Sequence, residues 1–235
     1  MRVAPFMEQD NVYNLADLRA WPWWQWQAND ETINSIIVES YVCPSESRGK
    51  SVWESNPGSQ GRSNPKAACT SYLGVSGRDS YKDTGGQDGM IFVNSKVNMG
   101  QVTDGTSNTL LLGERTAAAN LLYGWQWAGA GDNIQGETDV VLGVHERIAV
   151  DWGADPNNYE TDFFRRGTDN DPQNLHRFHF FSSHPGGGNW AMADGSTHFL
   201  SYDLDRGLNG SNGNPETILG KLSTRNGGET GIELR

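Results

Sequence analysis

Apolar residues recur along this chain in short runs, and the spacing within each run predicts an element. Phe6, Gln9, Val12/Tyr13 and Leu15 fall three and four apart behind Pro5, which predicts a short helix over 5–18. The segment RAWPWWQWQ (19–27) breaks any helix at Pro22. Ile33, Ile36, Ile37 and Ser40/Tyr41 form one stripe, so a second helix is expected from Asp30 to about Ser40, capped by Asn29 or Asp30. Residues 45–68 and 77–89 are polar and read as loops. Ser71 to Val75, Met90 to Val93 and Thr109 to Glu114 are strand candidates, the last preceded by the turn-forming run Asp104-Gly105-Thr106-Ser107-Asn108.

The last third is the most regular. Arg177 to Phe181 reads as an aromatic strand, followed by the flexible loop Pro185-Gly186-Gly187-Gly188. Trp190 to Ala193 and Thr197 to Ser201 flank Asp194-Gly195, a strong hairpin signal, with Trp190 and Met192 on one face and Ala191 and Ala193 on the other. A final helix is expected with Asn214 as N-cap, Pro215 at the first position, Ile218, Leu219 and Leu222 buried, and Gly227 as C-cap. The expected organisation is one domain over 1–235. It carries a loop-rich insertion at about 132–175, where no period is visible, and a C-terminal hairpin and short helix at about 177–229.

Composition adds that this is a folded chain. Hydrophobic residues are only 35%, but 9 Trp, 7 Tyr and 8 Phe supply core mass, and 29 Gly imply many tight turns. Lys and Arg number 18 against 29 Asp and Glu, a net charge of −11, which argues against a nucleic-acid partner. No apolar run approaches the ~20 residues of a membrane span. Residues 1–10 lack the layout of a secretory signal. Cys43 and Cys69 form no CxxC pair, so a cysteine-rich structural zinc site is not expected. In an exported protein they would bridge a Ser-, Gly-, Asn- and Pro-rich loop, stabilising by about 3 kcal/mol; otherwise they are two buried thiols.

His184 and Asp194-Gly195 could form a proton relay or half a metal site. The structural reading is preferred: the Asp-Gly makes the hairpin turn, and the imidazole holds the Gly-rich loop by a bond to a carbonyl or to that carboxylate. His176, His179 and His198 lack the spacing of a helical zinc site. Asp104, Ser107 and Asn108, and separately Asp169, Asn170 and Asp171, offer oxygen ligands on turns for calcium, the one cofactor considered plausible. Trp23, Trp24 and Trp26 could stack on sugar rings, while Trp125 and Trp127 would pack inward. Asp151, Asp155, Glu160 and Asp162 could pair for glycoside cleavage, but no GxSxG, P-loop or GxGxxG motif accompanies them, and catalysis is not expected.

Several segments also resemble a known family. Phe6-Met7-Glu8-Gln9-Asp10-Asn11-Val12-Tyr13-Asn14 is similar to its Glu-Gln-x-x-hydrophobic-Tyr-Asn signature, Val42-Cys43-Pro44-Ser45 to its Cys-Pro-Ser element, and Ser71 to Gly77 to its Tyr-x-Gly-x-x-Gly strand. Val102 to Thr109, running on to Gly113-Glu114-Arg115, resembles its most recognisable internal block. His184, nine residues and Asp194-Gly195 match its C-terminal motif, and Leu222 to Glu229 its ending. The family is the planctomycete paralogous group of unknown function with prepilin-type N-terminal segments, also filed as bacterial solute-binding-protein-like. The resemblance implies an α+β, pilin- or pseudopilin-like antiparallel sheet with short helices and long loops. The N-terminal hydrophobic helix of the family does not precede the Glu-Gln segment in this sequence. It also implies a non-enzymatic extracytoplasmic role, as a subunit of a type II secretion or type IV pilus-like assembly or a cell-envelope protein, with pilin-like subunits or envelope polysaccharide as partners. The alternative is an extracytoplasmic solute- or carbohydrate-binding module using exposed tryptophans.

Overall fold

The structure is a computed structural model and describes residues 3–16, 33–54, 66–79, 87–126, 140–145, 164–171, 175–205 and 217–229. Its elements are helix α1 (Asp10–Leu15), strands β1 (Val52–Glu54), β2 (Lys66–Ala68), β3 (Tyr72–Val75), β4 (Leu110–Glu114), β5 (Val141–Leu142), β6 (Gly187–Met192) and β7 (Thr197–Ser201), and helix α2 (Ile218–Ser223). The fold is α+β, with short helices around two sheets. The larger sheet has the order β5-β3-β4-β6-β7. Its β3–β4, β4–β6 and β6–β7 pairs are antiparallel, and β5 joins β3 in parallel. No described helix is long and apolar enough to cross a membrane.

The hairpin forms where Asp194-Gly195 predicts it. Gly195 takes φ +87°, a left-handed conformation open to glycine. The Asp194 carboxylate accepts bonds from the backbone N–H (2.8 Å) and hydroxyl (2.7 Å) of Ser196. Trp190 and Met192 then enter the main core with Leu73, Leu110, Leu142, Phe164, Phe180, Leu219 and Leu222. Ala193, with the opposite parity, packs with Met90 and Val102 in a second cluster. Pairing β4 with β6 sets Gly113 opposite Trp190, and the indole lies over the space a side chain would fill. The Phe180 ring stands 4.7 Å from Trp190 and Phe164 meets it edge-on at 5.1 Å. The two-stranded sheet β1–β2 packs through Trp53 on buried Trp125, rings 4.6 Å apart.

Several elements depart from the expectation. The helix expected over 5–18 splits into a 3-10 turn, Ala4–Met7, and α1, because Glu8 at φ +57° reverses the chain between them. Phe6 consequently points to solvent. The helix expected to reach Ser40 does not: the Asn34 carbonyl accepts the Ala68 N–H (2.7 Å), tying this segment to β2, and only a 3-10 turn, Glu39–Tyr41, follows. Met90–Val93 is not a strand. Both the Met90 and Ile91 N–H groups bond the single carbonyl of Val75, which bends the chain out of register. Arg177–Phe181 begins inside a 3-10 turn, Leu175–Phe178, because both Asp171 carboxylate oxygens accept its first N–H groups, from Leu175 (2.7 Å) and His176 (2.8 Å). Within it only Phe180 and Phe181 pair, as isolated bridges to Phe164 and Arg115. Gly187 and Gly188, expected in a loop, open β6. Helix α2 starts at Ile218, with the Thr217 hydroxyl accepting from Gly220 and the Asp205 carboxylate from Ile218 and Leu219. It ends at Ser223 with Thr224 as C-cap, rather than at Gly227; the expected cap Asn214 and Pro215 lie outside the described residues.

Candidate functional site

Three chain segments converge at the Glu114 end of β4. The first follows the 3-10 turn at 39–41. Its carbonyl at Tyr41 accepts the Ser71 N–H (2.8 Å), so Cys43 is delivered beside the start of β3. The second is β4 itself, whose last residue, Glu114, pairs with Tyr72 and alternates with Gly113, the residue opposite Trp190. The third is the bend before β6, where the His184 N–H donates to the Ser182 hydroxyl (3.1 Å) and turns the imidazole inward. The Cys43 sulfur lies 3.5 Å from His184 Nε2, and Glu114 Oε1 lies 3.5 Å from the same nitrogen. One donor atom from each residue falls within 4.8 Å of the other two.

The electrostatics are those of a buried, electron-rich cluster. Glu114 is almost wholly buried, while the His184 side chain keeps 26% of its surface. Asn189 fixes the carboxylate: its backbone N–H donates to Oε2 (2.8 Å) and its amide to Oε1 (3.3 Å). Burial pushes the Cys43 thiol pKa up, and the Glu114 carboxylate adds to the rise. Tyr72, beside the thiol, is pushed up to about 12 by burial and by the Cys43 and Glu114 negative charges.

His184 also lines a cavity of about 490 Å³. Its walls come from Arg48, from Thr116, Ala117, Ala119 and Tyr123, from 166–169, and from Phe181–Pro185. A polar chain runs along it. The Ser183 hydroxyl donates to Glu46 (2.6 Å), Glu46 accepts from Arg48, and Arg48 also pairs with Asp169 (2.5 Å). The Tyr123 and Phe181 rings supply its apolar surface.

The residues singled out from sequence scatter. His184 and Asp194 are not partners: β6 lies between them, and six strand residues at about 3.3 Å each put them at opposite ends of it. Asp194 serves the turn and His184 faces Cys43 and Glu114. Cys43 and Cys69 are unbridged thiols, both buried, Cys69 in the Trp125 cluster. Both carboxylate oxygens of Asp104 accept backbone N–H groups of the C-terminal loop, from Gly227 (2.7 Å) and Gly228 (2.9 Å), and the Asn108 amide donates to the Asp104 carbonyl. Ser107 is exposed. His176 and His179 bond each other (2.7 Å), and His198 bonds Ser196, so none of the three joins His184. Trp23, Trp24, Trp26 and Trp127, and the acids Asp151, Asp155, Glu160 and Asp162, lie outside the described residues.

Sequence reasoning missed Glu114, Arg48 and Ser183. Glu114 left no usable signal, because a register shift between Leu110 and Leu112 breaks the alternation along β4 and Leu112 is only half-buried. Arg48 and Ser183 sit in irregular segments and left none. In comparison with known proteins, the model of a family described as a protein of unknown function, DUF1559 (SBP_bac_10), matches residues 1–207. No curated protein and no solved structure matches.

Proposed function

We propose, for a chain that belongs to the DUF1559 family, a non-enzymatic role as an extracytoplasmic module that binds a small polar solute. The supporting observation is the cavity of about 490 Å³ beside His184, within the roughly 300–1,000 Å³ of small-molecule sites. Aromatic rings at Tyr123 and Phe181, hydroxyls at Thr116, Thr168 and Ser183, and guanidinium groups at Arg48 and Arg166 suit a hydroxylated ligand of mono- or disaccharide size. The solute-binding-like label of the family points the same way. Calorimetric titration against neutral, amino and acidic mono- and disaccharides tests this. Saturable binding is expected, and Ala119→Trp, which places an indole in the cavity from an exposed wall position, is expected to abolish it. Silence across the panel at millimolar ligand refutes the reading.

The antiparallel run β3-β4-β6-β7, with Phe199 exposed on its edge strand, favours a second reading. Here the chain is a pilin- or pseudopilin-like subunit of a secretion or cell-envelope assembly. A silent ligand panel together with reversible self-association in sedimentation velocity would support this reading over the first.

A further inference from the structure

We propose that Cys43, Glu114 and His184 form a binding site for a divalent transition-metal ion, zinc foremost. The donors are a thiol sulfur, an imidazole nitrogen and a carboxylate oxygen, the three side-chain types zinc takes. With bonds of about 2.3 Å to sulfur, about 2.1 Å to nitrogen and about 2.0 Å to oxygen, a tetrahedral ion holds sulfur and nitrogen about 3.6 Å apart and nitrogen and oxygen about 3.3 Å apart. Both corresponding separations are 3.5 Å here. The sulfur–oxygen separation lies within 4.8 Å, which a small side-chain rotation closes.

Two features separate this from other readings of the cluster. In a nucleophile–base–acid relay the carboxylate bonds the imidazole nitrogen opposite the one facing the nucleophile. Here sulfur and carboxylate approach the same nitrogen, so the three donors face a common point rather than forming a line. Charge is the second. Glu114 is buried, and among the described residues its hydrogen-bond and ion-pair partners are Asn189, Cys43 and His184, with no lysine or arginine. An imidazolium would bring one positive charge to this carboxylate, whereas a divalent ion brings two, matching a carboxylate and a thiolate together. Asn189 acts on the ion through Glu114, fixing the carboxylate while Oε1 faces His184. The partly exposed side of His184 opens to the cavity, leaving room for a fourth ligand from solvent. The site rests on its own donor atoms and stands whether or not the cavity takes a sugar.

The test is titration of the reduced, chelator-treated protein with cobalt(II) and zinc(II). One equivalent is expected, with a thiolate-to-cobalt charge-transfer band that zinc displaces. Zinc should also slow alkylation of Cys43, mapped by peptide mass spectrometry. Cys43→Ser removes the band, His184→Asn weakens binding by more than ~100-fold, and Asn189→Ala weakens it by roughly tenfold through the carboxylate. Wild-type protein that binds less than one equivalent, or binds cobalt without the thiolate band, overturns the proposal without any variant having to fold. Unchanged affinity in folded Cys43→Ser and His184→Asn overturns it equally.

Discussion

Asp104 is the place where one side chain ties the end of the chain to the sheet. Its carboxylate is buried, and its two oxygens accept the N–H groups of Gly227 (2.7 Å) and Gly228 (2.9 Å). Its own N–H donates to the Arg225 carbonyl, and Arg225 in turn bonds the carbonyls of Gln87 (3.0 Å) and Gly89 (2.8 Å). In Asp104→Ala both bonds to the carboxylate are lost. Hydrogen bonds to a charged group contribute about 1.5–3 kcal/mol each, so the pair contributes about 3–6 kcal/mol at most. Gly227 and Gly228 are exposed, so water recovers part of what their N–H groups lose, and the expected cost is about 3 kcal/mol. At roughly 2–4 °C per kcal/mol for a chain of this size, Tm falls by about 6–12 °C. Asp104→Asn keeps one acceptor oxygen and should fall between. Urea denaturation and differential scanning calorimetry measure it. A cost below about 0.5 kcal/mol for the alanine variant would refute the reasoning. The same assay with millimolar calcium separates the roles: a carboxylate engaged by two backbone N–H groups gives no calcium-dependent rise in Tm, whereas a calcium ligand gives one that Asp104→Ala removes.

Two further outcomes follow from the core and from the buried histidines. In Gly113→Ala the new methyl would meet Trp190 ring carbons at 2.5 and 2.7 Å and a Phe180 ring carbon at 2.8 Å. Both rings are locked in the core, so a loss near the upper end of about 1–3 kcal/mol is expected in urea denaturation, and a neutral result would show that the rings can shift. Burial, reinforced by Arg165, holds the pKa of His179 well below its ordinary 6.5, and burial also lowers that of His176. The unfolded chain therefore binds more protons below about pH 6.5, and stability falls with pH in that window. Denaturation at pH 7.5, 6.5 and 5.5 should show this slope, shallower in His176→Gln; equal slopes would remove His176 from the account.

The hairpin was legible because every signal for it is local. Asp194-Gly195 needs its own turn, and the parity of Trp190 and Met192 follows from a two-residue period that no distant contact alters. Strands β3 and β4 were legible for the same reason. Elements whose ends depend on a distant polar partner were not. Asn34 abandons a helix for the Ala68 N–H, and Asp171 winds a strand candidate into a 3-10 turn. The clearest division lies at the candidate site. By itself the sequence determined that Asp194 serves a turn and that Thr109 to Glu114 is a strand. That Cys43 and His184, 141 positions apart, would meet over the Glu114 carboxylate was decided only by tertiary structure. The physical reason is that sheet pairing, not sequence spacing, sets which strand ends are neighbours: β4 between β3 and β6 brings three separate segments to one end of the sheet.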